Sequence, residues 1–134
     1  MARILVDTSA VFALVDSSDQ WHSAAKAELD RLRAARSAPL LTNFIVAECH
    51  ALLLARLGSP LARNWLTNNA WPVQRITAED EAKAISIISQ YTDKTFSYAD
   101  ATSFALMERL GIRKAFAFDP HFRQYGLHVA GLPA

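Results

Sequence analysis

Cysteine and glycine are both scarce in this chain, and each scarcity excludes a class of site. Cys49 is the one cysteine among 134 residues, so an intrachain disulfide and a cysteine-ligated zinc site are excluded. The four glycines form no phosphate-cradling loop of the kind that Rossmann and P-loop proteins use. A nucleotide-binding domain of either class is therefore not expected.

Long apolar runs are also missing, and the charge is almost balanced. No stretch is long and apolar enough to cross a bilayer, and Asp7 and Asp16 interrupt the first apolar segment, unlike a signal peptide. The 14 Lys and Arg against 13 Asp and Glu neither require nor exclude a nucleic-acid partner. We expect residues 1–134 to form one soluble, cytoplasmic domain with no membrane association.

Short apolar runs alternate with helical segments along the chain, which predicts an α/β fold with a parallel sheet of four to five strands flanked by helices. The first run, residues 4–6, ends in Asp7-Thr8-Ser9, and the run 115–118 ends in Asp119. In open α/β sheets, ligands bind just beyond the carboxyl ends of the strands. Asp7 and Asp119 are therefore candidate site residues, although Asp-Thr-Ser is also typical of a helix cap.

A third acid lies on an apolar helical stripe. In the predicted helix 44–57, Glu48 shares a face with Phe44, Ala51, Leu52 and Ala55. Because an unpaired buried charge is costly, this pattern predicts that Glu48 meets a metal, a cation or water in a cleft. An ion pair with an arginine is the alternative.

The fourth acid begins the predicted helix 101–110. Asp100 shares its face with Phe104 and Met107, on the side expected to face the core. Ser97 lies three residues before Asp100, so a capping box is the alternative explanation. A second capping box is predicted for Thr77 and Asp80, in a helix whose core face is predicted to consist of Ala82, Ile85, Ile88 and Ser89.

If the four acids converge, their mutual repulsion requires protonation or a cation. An oxygen-only set without histidine or cysteine favours Mg²⁺, or Mn²⁺ in its place, over zinc. The chemistry that fits is metal-assisted hydrolysis of a phosphodiester bond. Uncharged side chains suited to holding water and carboxylates in place are those of Thr8, Ser9, Asn43 and Ser97.

The ordered set of motifs resembles the PIN-domain ribonucleases that form the toxin half of VapBC-type, type II toxin–antitoxin pairs. The matching pieces are residues 4–9, Thr42-Asn43 with Glu48, residues 93–107, and residues 116–122. The resemblance places Asp7, Glu48, Asp100 and Asp119 on the family's catalytic and metal-binding acidic quartet. It places Thr8 and Asn43 beside that quartet, and Asp93 on an additional acid that we expect to support the site.

The same resemblance implies a parallel sheet between helices, Mg²⁺-dependent cleavage of single-stranded or loop RNA, homodimers and inhibition by a small antitoxin protein. Two other classes stay open. One is a catalytically idle PIN-like module that binds RNA or protein. The other is a phosphatase with Asp7 as nucleophile, which would call for a second Asp two residues on, where Ser9 stands. The scattered His22, His121 and His128 are assigned no role.

Overall fold

A computed structural model describes residues 2–132 of the chain. Its sheet has five strands in the order β3-β2-β1-β4-β5, and every neighbouring pair is parallel. The strands are β1 (Arg3–Val6), β2 (Ala38–Thr42), β3 (Val73–Gln74), β4 (Lys114–Ala117) and β5 (His128–Gly131). The predicted α/β class is confirmed, with β5 at one edge of the sheet.

Seven helices flank the sheet in the part of the chain that the structure describes. They are α1 (Thr8–Val15), α2 (His22–Ala34), α3 (Asn43–Leu57), α4 (Ser59–Asn68), α5 (Ala78–Gln90), α6 (Tyr98–Leu110) and α7 (His121–Gln124). None of these helices has the length and apolar character needed to cross a membrane, as judged over residues 2–132.

The central strands lie in the core, which explains why they read as continuous apolar runs. β1 is paired with β2 on one side and β4 on the other, and Leu5 lies opposite both Leu40 and Ala115. Leu5 and Ala115 are fully buried, as is Phe116 on β4. Strands covered on both faces do not alternate between apolar and polar residues. Because β1 and β4 are parallel neighbours, their carboxyl ends lie at the same edge of the sheet.

The predicted core face of α5 is wrong. Ile85 is 61% exposed and Ile88 is 38% exposed, whereas Ala84 and Ile87 are buried. The helix is rotated because Asp80 points inward, where both its oxygens accept hydrogen bonds from Arg109 of α6 at 2.9 Å. The capping box of Thr77 and Asp80 is confirmed. The apolar pattern takes no account of this ion pair, in which Asp80 is buried and Arg109 is partly exposed, and it therefore predicts the wrong residues against α6.

Candidate active site

A cleft of about 400 Å³ opens where β1 and β4 end. Its lining contains the four acids singled out in the sequence, together with hydroxyl side chains and one imidazole. The lining residues are Asp7, Thr8, Ser9, Glu48, Leu52, Ser97, Asp100, Asp119 and His121. They come from four separate segments of the chain. The fold therefore gathers carboxylates that are up to 112 residues apart, from Asp7 to Asp119.

Asp7 is held rigidly between β1 and α1. It is the N-cap of α1, with extended backbone, and its Oδ2 accepts hydrogen bonds from the backbone N–H of Ser9 at 3.2 Å and from the Ser9 hydroxyl at 2.7 Å. The Ser9 oxygen in turn accepts the backbone N–H of Phe118 at 2.9 Å. Ser9 thus ties the end of β4 to the start of α1. The capping role and the position at the cleft belong to the same side chain.

The environment of Asp7 disfavours its charged form. Asp7 is 5% exposed, and burial is the main cause that raises its pKa from 3.8 to about 7. The Ser9 hydrogen bonds oppose this shift, while the charges of Asp100 and Glu48 add to it. Asp7 is therefore subject to electrostatic repulsion from the other two carboxylates across the cleft. A divalent cation there would relieve that repulsion.

Asp100 and Asp119 are linked by an imidazole. Asp100 forms the predicted capping box with Ser97 at the start of α6, and its Oδ2 accepts the backbone N–H of Ser97 at 3.1 Å. The same Oδ2 lies 2.8 Å from Nδ1 of His121. That Nδ1 is also 3.0 Å from Oδ1 of Asp119, which accepts the backbone N–H of His121 at 2.8 Å. α6 begins at Tyr98 rather than at the predicted Ala101, which places Asp100 in its first turn.

Glu48 reaches the cleft from α3, where the Thr8 hydroxyl donates a hydrogen bond to its Oε1. The expected burial of its helical stripe is met only in part. Phe44 and Leu52 are half-buried, whereas Glu48, Ala51 and Ala55 are exposed. α3 instead packs on the core through Ile45, Cys49 and Leu53. The carboxylate is accessible from solvent, as a ligand for a substrate or metal must be.

Two of the predicted supporting residues lie away from the cleft lining. The side chain of Asn43 accepts the backbone N–H of Ile76 at 2.8 Å, and so ties the start of α3 to the segment after β3. Asp93 is 74% exposed and pairs with the neighbouring Lys94 at 3.2 Å. Thr8 and Ser97 do line the cleft. Asn43 therefore positions backbone, and in residues 2–132 no hydrogen bond or ion pair links Asp93 to the quartet.

His121 is the site residue that the sequence did not reveal. The sequence pattern assigns His121 no role, yet its ring lies in the cleft between two acids. A local signal existed in Asp119-Pro120-His121, because an Asp often accepts the backbone N–H two residues on, as Asp119 does here. Such a turn folds the third residue back beside the carboxylate.

The donor set suits a hydrated, hard cation. In the described residues, no group of three or more His, Cys, Asp or Glu side chains is close enough together to hold a metal ion as a set. Mg²⁺ does not need one, since it commonly binds through one or two carboxylates and keeps several waters. The acids of the cleft offer oxygen ligands, and the pKa of Asp7 is raised mainly by burial, with the charges of Asp100 and Glu48 adding to the shift. The residues fit Mg²⁺ or Mn²⁺ better than zinc.

Comparison with known proteins defines the class of protein to which this fold and cleft belong. Residues 4–127 match the family model of the PIN domain, and the chain belongs to the PIN domain family. It is 34% identical over 127 residues to the 23S rRNA-specific endonuclease VapC20 of Mycobacterium tuberculosis, covering 92% of this chain and 94% of VapC20. Ribonuclease VapC26 of the same species is 28% identical over 119 residues, covering 87% and 86% of the two chains. The resemblance to VapC-type proteins is thereby confirmed.

Solved structures agree with this assignment. The crystal structure of Mycobacterium tuberculosis VapC20, described as a Sarcin-Ricin loop cleaving toxin, matches with a TM-score of 0.82 at 32% identity, covering 92% of this chain and 95% of that one. FitAcB from Neisseria gonorrhoeae matches with a TM-score of 0.70 at 17% identity, covering 94% and 95%. The second similarity concerns the fold alone.

Proposed function

We propose that this protein is a divalent-metal-dependent endoribonuclease and the toxin component of a toxin–antitoxin pair. The observation that carries the proposal is the cleft in which Asp7, Glu48, Asp100 and Asp119 meet at the carboxyl ends of β1 and β4. The names of the relatives VapC20 and VapC26, an endonuclease and a ribonuclease, support the same activity. Four carboxylates around one accessible cleft also favour an enzyme over an idle binding module.

Charge makes a cation necessary for this activity. An RNA phosphodiester is anionic, and so is a cleft lined by four acids, so the two repel each other unless a cation lies between them. Mg²⁺ or Mn²⁺ held by the quartet, directly or through retained water, would supply a water of lowered pKa and stabilise the charge developing on the phosphate. The proposed ligands are therefore the same residues that make the cleft acidic.

The chain's own contribution is to hold these oxygens in place. Ser9 fixes the carboxylate of Asp7 through two hydrogen bonds, and Thr8 fixes that of Glu48. Ser97 fixes Asp100 through the first turn of α6. These three carboxylates are thus oriented before RNA binds, and they need little reorganisation during the reaction.

Ribosomal RNA is the substrate to test first. VapC20 is named for 23S rRNA, and its structure is described as that of a toxin cleaving the Sarcin-Ricin loop. We propose that this chain likewise cuts an exposed loop of a structured RNA, where unpaired nucleotides can enter a cleft of about 400 Å³. A small antitoxin and a homodimer remain our predictions for its protein partners.

The test uses purified protein with ribosomal RNA and with a mixed pool of single-stranded and structured RNA. Each reaction contains Mg²⁺, Mn²⁺ or a chelator. The variants are the Asp7→Asn/Asp100→Asn double substitution and, as a control for the same change at an exposed acid, Asp30→Asn on α2. We expect metal-dependent cuts by wild type and Asp30→Asn, at the same sites, and none by the double variant. Equal background in all reactions would instead support the binding module.

A further inference from the structure

His121 bridges two carboxylates of the cleft through one nitrogen. Nδ1 lies 2.8 Å from Oδ2 of Asp100 and 3.0 Å from Oδ1 of Asp119. Asp100 Oδ2 already accepts the backbone N–H of Ser97, so it acts as an acceptor. An ionised carboxylate can only accept hydrogen bonds, so when Asp100 and Asp119 act as metal ligands the hydrogen that their two oxygens share lies on Nδ1.

The ring itself is held from its other side. Nε2 lies 3.3 Å from the hydroxyl oxygen of Thr95, and the ring packs edge-on against Phe96 with their centres 5.7 Å apart. The backbone N–H of His121 bonds to Asp119 at 2.8 Å. These contacts leave the imidazole little freedom, so its Nδ1–H is a fixed donor rather than a mobile surface group.

In each of the two carboxylates, one oxygen accepts all the hydrogen bonds and the other accepts none among the described residues. The hydrogen bonds to Asp100 fall on Oδ2, and those to Asp119 fall on Oδ1. Among the described residues, no hydrogen bond occupies Asp100 Oδ1 or Asp119 Oδ2. One oxygen of each acid thus remains available for a cation, while the other is anchored to the same imidazole.

We propose that His121 is a positioning residue that sets the separation and orientation of Asp100 and Asp119 for a divalent cation. This inference rests on the proposed function, and assigns the histidine no contact with RNA and no proton transfer. Its donor acts as an outer partner of two metal-binding carboxylates. Loss of such a partner typically weakens metal affinity about 10- to 100-fold.

A pair of substitutions of nearly equal shape isolates the Nδ1–H. His121→Asn keeps an N–H donor close to the position of Nδ1. His121→Leu replaces the imidazole with a side chain of similar volume that has no donor. Binding of Mn²⁺ is measured by titration calorimetry and by the electron paramagnetic resonance signal of free Mn²⁺, with no RNA present. His128→Leu, an exposed position on β5, is the control for histidine removal.

We expect His121→Leu to raise the Kd for Mn²⁺ by about 10-fold or more, with His121→Asn and His128→Leu within about threefold of wild type. Equal Kd values for wild type and His121→Leu would overturn the inference but leave the nuclease proposal standing. Equal losses in the Asn and Leu variants would also overturn it, because the donor would then not be the cause. A wild type that binds no Mn²⁺ would overturn both.

Discussion

The hydroxyl of Thr8, in the first turn of α1, donates a hydrogen bond to Oε1 of Glu48 on α3. Thr8 is 7% exposed, whereas Glu48 is exposed. The bond therefore anchors an exposed carboxylate to a buried group. It also joins two helices that start after neighbouring strands, β1 and β2.

Removing that hydroxyl is expected to impair cleavage more than stability. Thr8→Val keeps the shape of the side chain but leaves Glu48 unanchored. We therefore expect the single-turnover cleavage rate to fall about 10-fold or more and the free energy of unfolding to fall by about 1 kcal/mol. Single-turnover cleavage and urea unfolding measure the two effects. Thr8→Ser, which keeps the hydroxyl, should retain most of the activity, and equal losses in both variants would argue against the anchoring role.

The buried Asp7 is expected to cost the metal-free protein stability at high pH. Its pKa is raised from 3.8 to about 7, so folding opposes its ionisation. The favourable contribution of the protonated form is lost as pH rises through about 7. Asp7→Asn lacks this penalty, and in the presence of chelator its Tm should exceed that of wild type by at least about 3 °C at pH 8. A Tm difference that is the same at pH 5 and pH 8 would contradict this account.

The Asp80 and Arg109 pair predicts the opposite pH dependence. Hydrogen bonds from Arg109 are the main cause that holds the pKa of Asp80 below its ordinary 3.8. This pair stabilises the fold above pH 3.8, and its contribution is lost as pH falls through the lower, folded-state pKa. Asp80→Asn should cost about 1.5 to 3 kcal/mol at pH 7, with the difference shrinking towards pH 3.

Denaturant unfolding at several pH values measures this difference. Glu79→Gln is the matched control, because Glu79 is an exposed acid in the same first turn. Its effect should stay within about 0.5 kcal/mol. A loss for Asp80→Asn that is as large at pH 3 as at pH 7 would show that packing, rather than charge, stabilises this position.

Two isoleucines on α5 test the observed orientation of that helix. Ile87 is 4% exposed, while Ile85 is 61% exposed. Ile87→Ala should cost about 2 to 4 kcal/mol in the free energy of unfolding, and Ile85→Ala less than about 0.5 kcal/mol. Chemical denaturation of the two variants decides between the predicted and the observed face, since the sequence pattern alone would rank them the other way.

The sequence was most informative where local chemistry and fold topology agree. Asp7 and Asp119 could be placed because each follows a short buried strand, and parallel strands end at one edge of a sheet. The capping explanations of Asp7 and Asp100 were also right. Capping and cleft lining are compatible, because the N-termini of these helices lie at that edge.

What could not be predicted depends on contacts between distant segments. The orientation of α5 follows from the ion pair between Asp80 and Arg109, which are 29 residues apart. The spacing of apolar residues along the helix does not reveal such a pair. The position of His121 depends on Asp100, 21 residues earlier. Glu48 is predicted to lie on a buried apolar stripe because α3 is apolar on almost every side. In such a helix, the sequence alone does not show which side packs against the core.

Single-turnover cleavage by the four individual quartet variants tests the central claim most directly. The variants are Asp7→Asn, Glu48→Gln, Asp100→Asn and Asp119→Asn, compared with wild type and Asp30→Asn in Mg²⁺ and in chelator. One shared metal-dependent cleft predicts that each quartet variant loses about 100-fold or more in rate, that chelator abolishes the wild-type rate, and that Asp30→Asn matches wild type. Cleavage that persists in chelator, or a wild-type rate in all four individual variants, would contradict the account.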